Sequence, residues 1–331
     1  SELSYAARWP VGGAYHQYIS GYDADKRDDA KLRAKDHFSR RRDYIFDAVD
    51  GLDDGRFHDA YDRVYPEFRA MTQLIDFSKF SSVRVGGVHE VAVLESIEDA
   101  LKQGFAGRVM IGGANNLLVS PNPPAMMMLG GAFDYINLSG DVLSIGAATK
   151  SGKIYNFAKK HNIGGFEFLQ NIPGTLGGLI KMNAGLCGVS ISDDLLAVRL
   201  GRGWVEREKI NFSYRKSGID EPIFGAEFKI SREFDAALAA DFAAKRANQP
   251  KGASFGSCFV NPPGDYAGRL IEAVGLKGYA IGGAKFSEQH ANFIINFNAA
   301  TFADVTGLIN LARERVLEQF GTELKTEVVI L

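Results

Sequence analysis

The stretch GGFEFLQNIPGTLGGLIKMNAGLCG, residues 164–188, decides how the rest of the chain is read. It sets Gly174, Gly177, Gly178, Gly185 and Gly188 around two apolar patches. Glycine has no Cβ, so a backbone built this way can turn sharply and come within hydrogen-bonding range of a ligand. Pro173 fixes φ just before the turn and donates no hydrogen bond. Thr175 adds a hydroxyl and Asn183 an amide near the ends of the run. Bare N–H groups beside small polar side chains suit a diphosphate or a flat heterocycle with polar edges. The same residues also describe a tight loop entering a buried helix, with glycines that only permit close packing. The spacing leaves both readings open.

Working outward, the 331 residues suffice for two or more domains with real cores. A hydrophobic fraction of 46% and a charged fraction of 24% are those of an ordinary globular protein. A net charge of -2 points to neither nucleic acid nor an anionic membrane surface. Cys187 and Cys258 stand alone in their neighbourhoods, which excludes a disulfide framework or a CxxC metal site. A reducing, cytoplasmic setting is expected. No apolar run is long enough to span a bilayer. The scattered histidines do not form a metal site, so no metal is expected.

Residues 1–70 differ from the rest. They hold charge-dense helical stretches over Asp23–Val49 and Asp54–Arg69, with a basic triplet at Arg40, Arg41 and Arg42. The triplet reads as an anion contact or as a solvated helix face balanced by nearby aspartates. The style changes at Met71. Beyond it come a strand at Val91–Leu94, a helix at Ile97–Gln103 and a strand at Val109–Ile111. That strand runs into Gly112-Gly113-Ala114-Asn115-Asn116-Leu117-Leu118, an anion nest or a plain β-turn. Strands are expected at Met126–Leu129, Val142–Ile145, Leu195–Leu200, Ile223–Ile230, Asn292–Asn296 and Glu327–Leu331. Helices are expected at Gly152–His161, Phe234–Ala244, Tyr266–Val274 and Phe302–Phe320. Arg215, in Phe212-Ser213-Tyr214-Arg215, can hold a carboxylate bidentately, or it is a surface arginine in a hairpin.

The ordered set formed by residues 112–118, Ile172-Pro173-Gly174-Thr175-Leu176-Gly177-Gly178, Met182-Asn183-Ala184-Gly185, Phe212-Ser213-Tyr214-Arg215, Gly256-Ser257-Cys258-Phe259-Val260-Asn261-Pro262, Gly282-Gly283-Ala284 and Leu324-Lys325-Thr326-Glu327-Val328 resembles the MurB family of flavoenzymes, the UDP-N-acetylenolpyruvoylglucosamine reductases. The likeness runs collinearly from about Met71 to Leu331, and residues 1–70 have no counterpart in it. It implies an α+β fold. A two-subdomain FAD-binding domain of the vanillyl-alcohol-oxidase flavoprotein class spans 71–230, and an α+β substrate domain spans 231–331. The short spacing around Ser257 resembles the type II enzymes, which lack a tyrosine-bearing loop and an extra βαβ insertion. The expected quaternary state is a monomer.

The resemblance also implies a chemistry, a step in making the peptidoglycan precursor. NADPH passes hydride to FAD, and the reduced flavin passes it to the enolpyruvyl group of a UDP-N-acetylglucosamine ether, a nucleotide-sugar substrate. Arg215 and Glu327 would stabilise an aci-carboxylate, and Ser257 would protonate C2. Cofactor contacts are implied at Gly112, Gly113, Ala114, Asn115, Asn116, Leu117, Pro173, Gly174, Thr175, Gly177, Gly178, Asn183, Ala184 and Gly185. Substrate contacts are implied at Lys245 or Arg246, Asn261, Lys277 and His290, although a structural hydrogen bond also explains His290. Cys258 is the rival to Ser257. Neighbours in an extended segment face opposite sides, so only one of them can face the flavin. Another FAD-linked oxidoreductase of the same class, or a flavoprotein-derived scaffold, would not need Arg215, Ser257 and Glu327 together.

Overall fold

The computed structural model describes residues 72–103, 107–247 and 249–331. The helices expected before Ala70, and the extension as a unit, lie outside the described residues.

The first layer begins with β1 (Thr72–Asp76) and α1 (Phe77–Phe80), where Asp76 caps the turn by accepting from the Ser78 N–H at 3.1 Å. Next come β2 (Val88–Leu94), α2 (Ile97–Gln103), β3 (Arg108–Ile111), β4 (Leu117–Leu118) and β5 (Ala125–Leu129). The sheet order is β1-β2-β5-β3, with β1 antiparallel to β2 and the other pairs parallel. Residues 91–94 of β2 are buried without alternation because both faces of the sheet are covered. Val91 packs with Phe77, Ile111 and Met126 on one face. Ala92 and Leu94 pack with Met127, Phe133 and Phe224 on the other.

The second layer contains β6 (Ile136–Ser139), β7 (Val142–Gly146), α3 (Ser151–Lys160), α4 (Leu176–Lys181), the hairpin β8 (Gly185–Leu186) and β9 (Val189–Ser190), β10 (Leu195–Leu200), β11 (Gly203–Glu206) and β12 (Gly225–Lys229). Its antiparallel sheet runs β11-β10-β12-β7-β6. Helix α5 (Ala236–Arg246), capped by Asp235, sends Ala239 and Phe242 into the same core as this sheet. Buried Glu167 fastens it there, accepting from the Gly165 N–H at 2.8 Å and the Asp235 N–H at 3.0 Å. A division at residue 230 therefore cuts this helix from the core it packs in. The helix expected at Phe234–Ala244 is α5, at Ala236–Arg246.

The third layer holds α6 (Ala267–Ala273), an antiparallel sheet of β13 (Ala280–Ile281), β14 (Ala284–Phe286) and β15 (Ile294–Asn296), α7 (Phe302–Phe320) and β16 (Val329–Ile330). A Thr301–Asp304 capping box starts α7, and Gly321 ends it at φ 64°. Val83, Val85 and Leu118, from the first stretch of chain, complete this core. β16 pairs in parallel with β4, Val329 opposite Leu117. The Gly282-Gly283-Ala284 turn serves packing: the Gly283 N–H donates to Asp304 at 3.2 Å, and a Cβ on Gly283 would meet the Asn298 carbonyl oxygen at 2.1 Å.

Asn292 anchors the loop that bears Ser257. It is 3% exposed, accepts from the Phe259 N–H at 2.9 Å and donates to the Phe259 carbonyl at 2.8 Å. Its own carbonyl accepts from the Cys258 N–H at 2.7 Å. Asn292→Ala strands two buried peptide groups, so urea unfolding should show a loss of roughly 2–4 kcal/mol. A loss under about 0.5 kcal/mol, the size of an ordinary surface substitution, would show that the loop is held by something else.

Candidate functional site

Strand β3 delivers Gly112 and Gly113 to the edge of a cleft of about 440 Å³. One wall is Arg108–Gly113 with Met127, Met128 and Leu129. The facing wall is Ala147, Ala148, Lys150, Thr175, Gly177, Gly178 and Lys181, closed by residues 220–223. The two loops nearly touch: a Cβ on Gly112 would lie 2.6 Å from Thr175 Oγ1. Among the described residues, no acceptor takes the N–H groups of Gly113, Ala114, Asn115 or Asn116. Ala114 holds a left-handed φ of 49° within this run. A bend with consecutive outward N–H groups is an anion cradle.

The glycine-rich stretch is used differently from the expectation of bare donors. The Leu176 N–H donates to the Thr149 carbonyl and the Gly177 N–H to the Ala147 carbonyl, each at 2.9 Å. These donors hold the loop to the end of β7 and the start of α3. Gly177 sits in α4, and a Cβ there would press on Ala147 Cβ at 3.2 Å. Gly178 is the open position, with Thr175 Oγ1 at 3.7 Å the nearest atom to such a Cβ. Pro173, Gly174, Ala184 and Gly185 do not line the cleft. Ala184 is core, and Gly185 closes the β8–β9 hairpin opposite Ser190.

Asn183 reaches the next element. Its Nδ2 donates to the Ser213 carbonyl at 3.0 Å, and its Oδ1 is buried without a partner. The Lys181 carbonyl accepts from the Ser217 N–H at 3.2 Å, and Lys181 Nζ donates to the Ile219 carbonyl. These bonds grip a tight turn in which Ser213 and Lys216 exchange backbone hydrogen bonds. Arg215 occupies that turn at φ 59°, a position that usually takes Gly or Asn.

Arg215 Nε stands 3.1 Å from Glu327 Oε1. The contact is one of charge, because Nε is buried without an aligned acceptor. Burial raises the Glu327 pKa, and the Arg215 charge partly offsets it. Arg246, at the end of α5, also has a buried, unpartnered Nε. Burial and then the Arg215 charge lower its pKa, which brings a second guanidinium into the field of the first. Lys245 beside it is exposed.

The Glu327 N–H donates to the Cys258 carbonyl at 2.8 Å, and Phe259 bridges Thr326, so Glu327 and Ser257 lie on adjoining extended segments. Ser257 is half-buried and Cys258 fully buried in the third core. Burial pushes the Cys258 thiol far above its ordinary range. Of the two rivals, only the serine is turned out of the core.

The remaining candidates have structural partners. Asn261 Oδ1 accepts from the Ala267 N–H at 3.0 Å at the start of α6. Lys277 pairs with Glu272 at 2.8 Å. His290 Nδ1 accepts from the Asn292 N–H at 3.2 Å, and its ring packs on Phe293. Sequence reasoning missed Arg108, Lys150 and Lys181, which ring the cleft. Of these, only Lys181 had a signal, its place at the end of the glycine-rich stretch.

Two expectations follow. Gly178→Val fills the cleft without a backbone clash, so the purified protein should fold and carry far less flavin than wild type. Full flavin content, read from the visible spectrum, would take this wall out of the cofactor site. Glu327, with its pKa raised in the folded chain, contributes stability that is complete below its unfolded pKa and lost as pH rises through its folded pKa. The stability of Glu327→Gln relative to wild type should therefore improve as pH climbs through that window. A flat difference in chemical-denaturation midpoints would contradict the burial argument.

Comparison with known proteins accounts for this geometry. Residues 248–331 match the family model described as "UDP-N-acetylenolpyruvoylglucosamine reductase, C-terminal domain". The chain is 51% identical over 263 residues to the UDP-N-acetylenolpyruvoylglucosamine reductase of Campylobacter jejuni, covering 78% of this chain and 100% of the relative. Identity to the enzyme of the same name from Helicobacter hepaticus is 48% over 260 residues, covering 78% and 99%. Among solved structures, the reductase (MurB) of Thermus caldophilus superposes with a TM-score of 0.69 at 30% identity, covering 78% of this chain and 98% of that one. Cleft, nest and ion pair are thus carried on a fold shared along almost the whole length of these enzymes, and the chain belongs to the UDP-N-acetylenolpyruvoylglucosamine reductase family.

Proposed function

We propose that this protein reduces the enolpyruvyl ether of UDP-N-acetylglucosamine with electrons from NADPH, through FAD, as a step in peptidoglycan precursor synthesis in the cytoplasm. The observation that carries the reading is the Arg215–Glu327 pair at 3.1 Å beside the segment that bears Ser257. The cleft fits the cofactor. The N–H of Gly113 at its edge, with those of residues 114–116 beyond it, suits a diphosphate, and the methionine-lined wall suits a flat ring system. FAD, when bound, supplies a two-electron carrier between nicotinamide and substrate.

The chain's own groups then have distinct tasks. Arg215 and Arg246 outnumber Glu327 in charge, so the site attracts the substrate carboxylate and favours negative charge growing on it. Glu327, with its raised pKa, can share a proton with a carboxylate oxygen. Ser257 holds the proton destined for C2. A hydroxyl of ordinary acidity is adequate against a strongly basic carbon.

Ser257→Ala should leave flavin reduction by NADPH nearly unchanged, because that step needs no proton from the serine. Reoxidation by the enolpyruvyl substrate should slow roughly 10²–10⁴-fold, the range for a lost general acid. Arg215→Lys should also slow reoxidation selectively, since an ammonium cannot copy the guanidinium fork. Anaerobic stopped-flow at the flavin band separates the two half-reactions. Wild-type reoxidation in Ser257→Ala, with slowing in Cys258→Ala, would move the proton donor to Cys258.

A further inference from the structure

Asn116 belongs to the nest by its backbone, but its side chain turns away from the cleft. Its Nδ2 donates to the main-chain carbonyl of Glu327 at 3.0 Å and lies 4.0 Å from Met182 Sδ. Its own carbonyl accepts from the Val329 N–H at 3.0 Å. The β4–β16 pairing, with Val329 opposite Leu117, starts from this contact. The other peptide group of Glu327 is also fixed, its N–H donating to the Cys258 carbonyl at 2.8 Å. Glu327 is thus held from two sides, by the loop that carries Ser257 and by the loop that bends around the cleft. The Asn116 amide donor is already spent on Glu327, which leaves the backbone N–H as this residue's contribution to the nest.

We infer that Asn116 is a positioning residue for the reduction of the enolpyruvyl group: its side-chain amide fixes the Glu327 backbone and so sets the Glu327 carboxylate against Arg215 and beside Ser257. The inference rests on the role of Glu327 proposed above. It has a physical scale. The contact between Arg215 and Glu327 is one of charge at 3.1 Å, with no aligned hydrogen bond to restore it if the backbone shifts. Release of the Glu327 carbonyl leaves that peptide group held only by the longer bond from the Val328 N–H to the Cys258 carbonyl at 3.4 Å, against 2.8 Å for the bond on the Glu327 N–H. A misplacement of about 1 Å in a reacting group costs on the order of 10²-fold in rate.

The test uses the full chain saturated with FAD. It compares Asn116→Ala and the isosteric Asn116→Asp, each alone and combined with Glu327→Gln. Isostericity in Asn116→Asp guards against simple failure to fold, while the introduced carboxylate removes the donor. In the single variants, reoxidation by the enolpyruvyl substrate should slow by about tenfold or more beyond any change in flavin reduction by NADPH. In the Glu327→Gln background the same Asn116 changes should add less than about twofold, because the group they act through is gone. Slowing in the double variants by the product of the two single effects would overturn the inference. So would equal damage to both half-reactions, or a weakened affinity for FAD with unchanged kinetics at saturation, which would place the amide in the cofactor site. If Glu327→Gln alone reoxidises at the wild-type rate, the role of Glu327 itself fails, and this inference falls with it.

Discussion

The Arg215–Glu327 ion pair is the contact that makes the rest of the arrangement necessary. A largely buried carboxylate is costly unless a cation faces it, and removing one partner leaves the other stranded. Its two members come from different layers. Arg215 rides on a turn gripped by Lys181 and Asn183 of the second layer. Glu327 lies between the Cys258 carbonyl of the third layer and the Asn116 amide of the first. No single core can bring these groups to 3.1 Å. The shared use of Val83, Val85 and Leu118 by the third core has the same sense, since it locks that layer to the stretch of chain that forms the nest.

The cleft follows from a second constraint, close approach of two backbones. Thr175 and Gly112 leave no room for a side chain between them, and the Leu176 and Gly177 donors are spent fastening their loop to residues 147–149. The two glycine loops differ: one fastens its donors within the wall, and the other keeps N–H groups that no acceptor among the described residues takes. Of the two readings of the 164–188 stretch, close packing describes the Leu176 and Gly177 donors. The stretch is a tight loop entering a short helix, and Gly178 within it faces the cleft.

Much of the fold was legible because the cues are local. Helices Ile97–Gln103 and Phe302–Phe320 and strand Leu195–Leu200 have the expected bounds, those of Phe302–Phe320 set by a capping box and a left-handed glycine, and the strand marked by a largely apolar run. What escaped depends on tertiary partners. β1, with its exposed polar residues, is a strand only because β2 pairs with it. The two-residue strand β4 carries no pattern of its own and exists through its pairing with β16, which lies within the strand expected at Glu327–Leu331. The resemblance puts helix α5 in the 231–331 region, while Ala239 and Phe242 pack in the core of the second layer. At the site, residue types could be read from order and spacing. The spent donors of Leu176 and Gly177, and the partners of Asn116, Asn261 and Lys277, could not. A side chain's free valence is a property of its neighbours.

The left-handed conformation at Arg215 bears on why an arginine occurs there at all. The third residue of such a turn favours glycine, and a bulky side chain at positive φ costs about 1–3 kcal/mol. Relief by glycine would leave Glu327 buried without its cation, a larger loss. The strain is tolerated because the turn is held from both sides: Ser213 by Asn183, Ser217 by the Lys181 carbonyl, and Ile219 by the Lys181 ammonium. Each of those anchors belongs to the segment that follows the glycine-rich wall. The wall of the cleft and the direction of the guanidinium are therefore set by one continuous piece of chain, residues 175–183, so a change in either must be felt by the other.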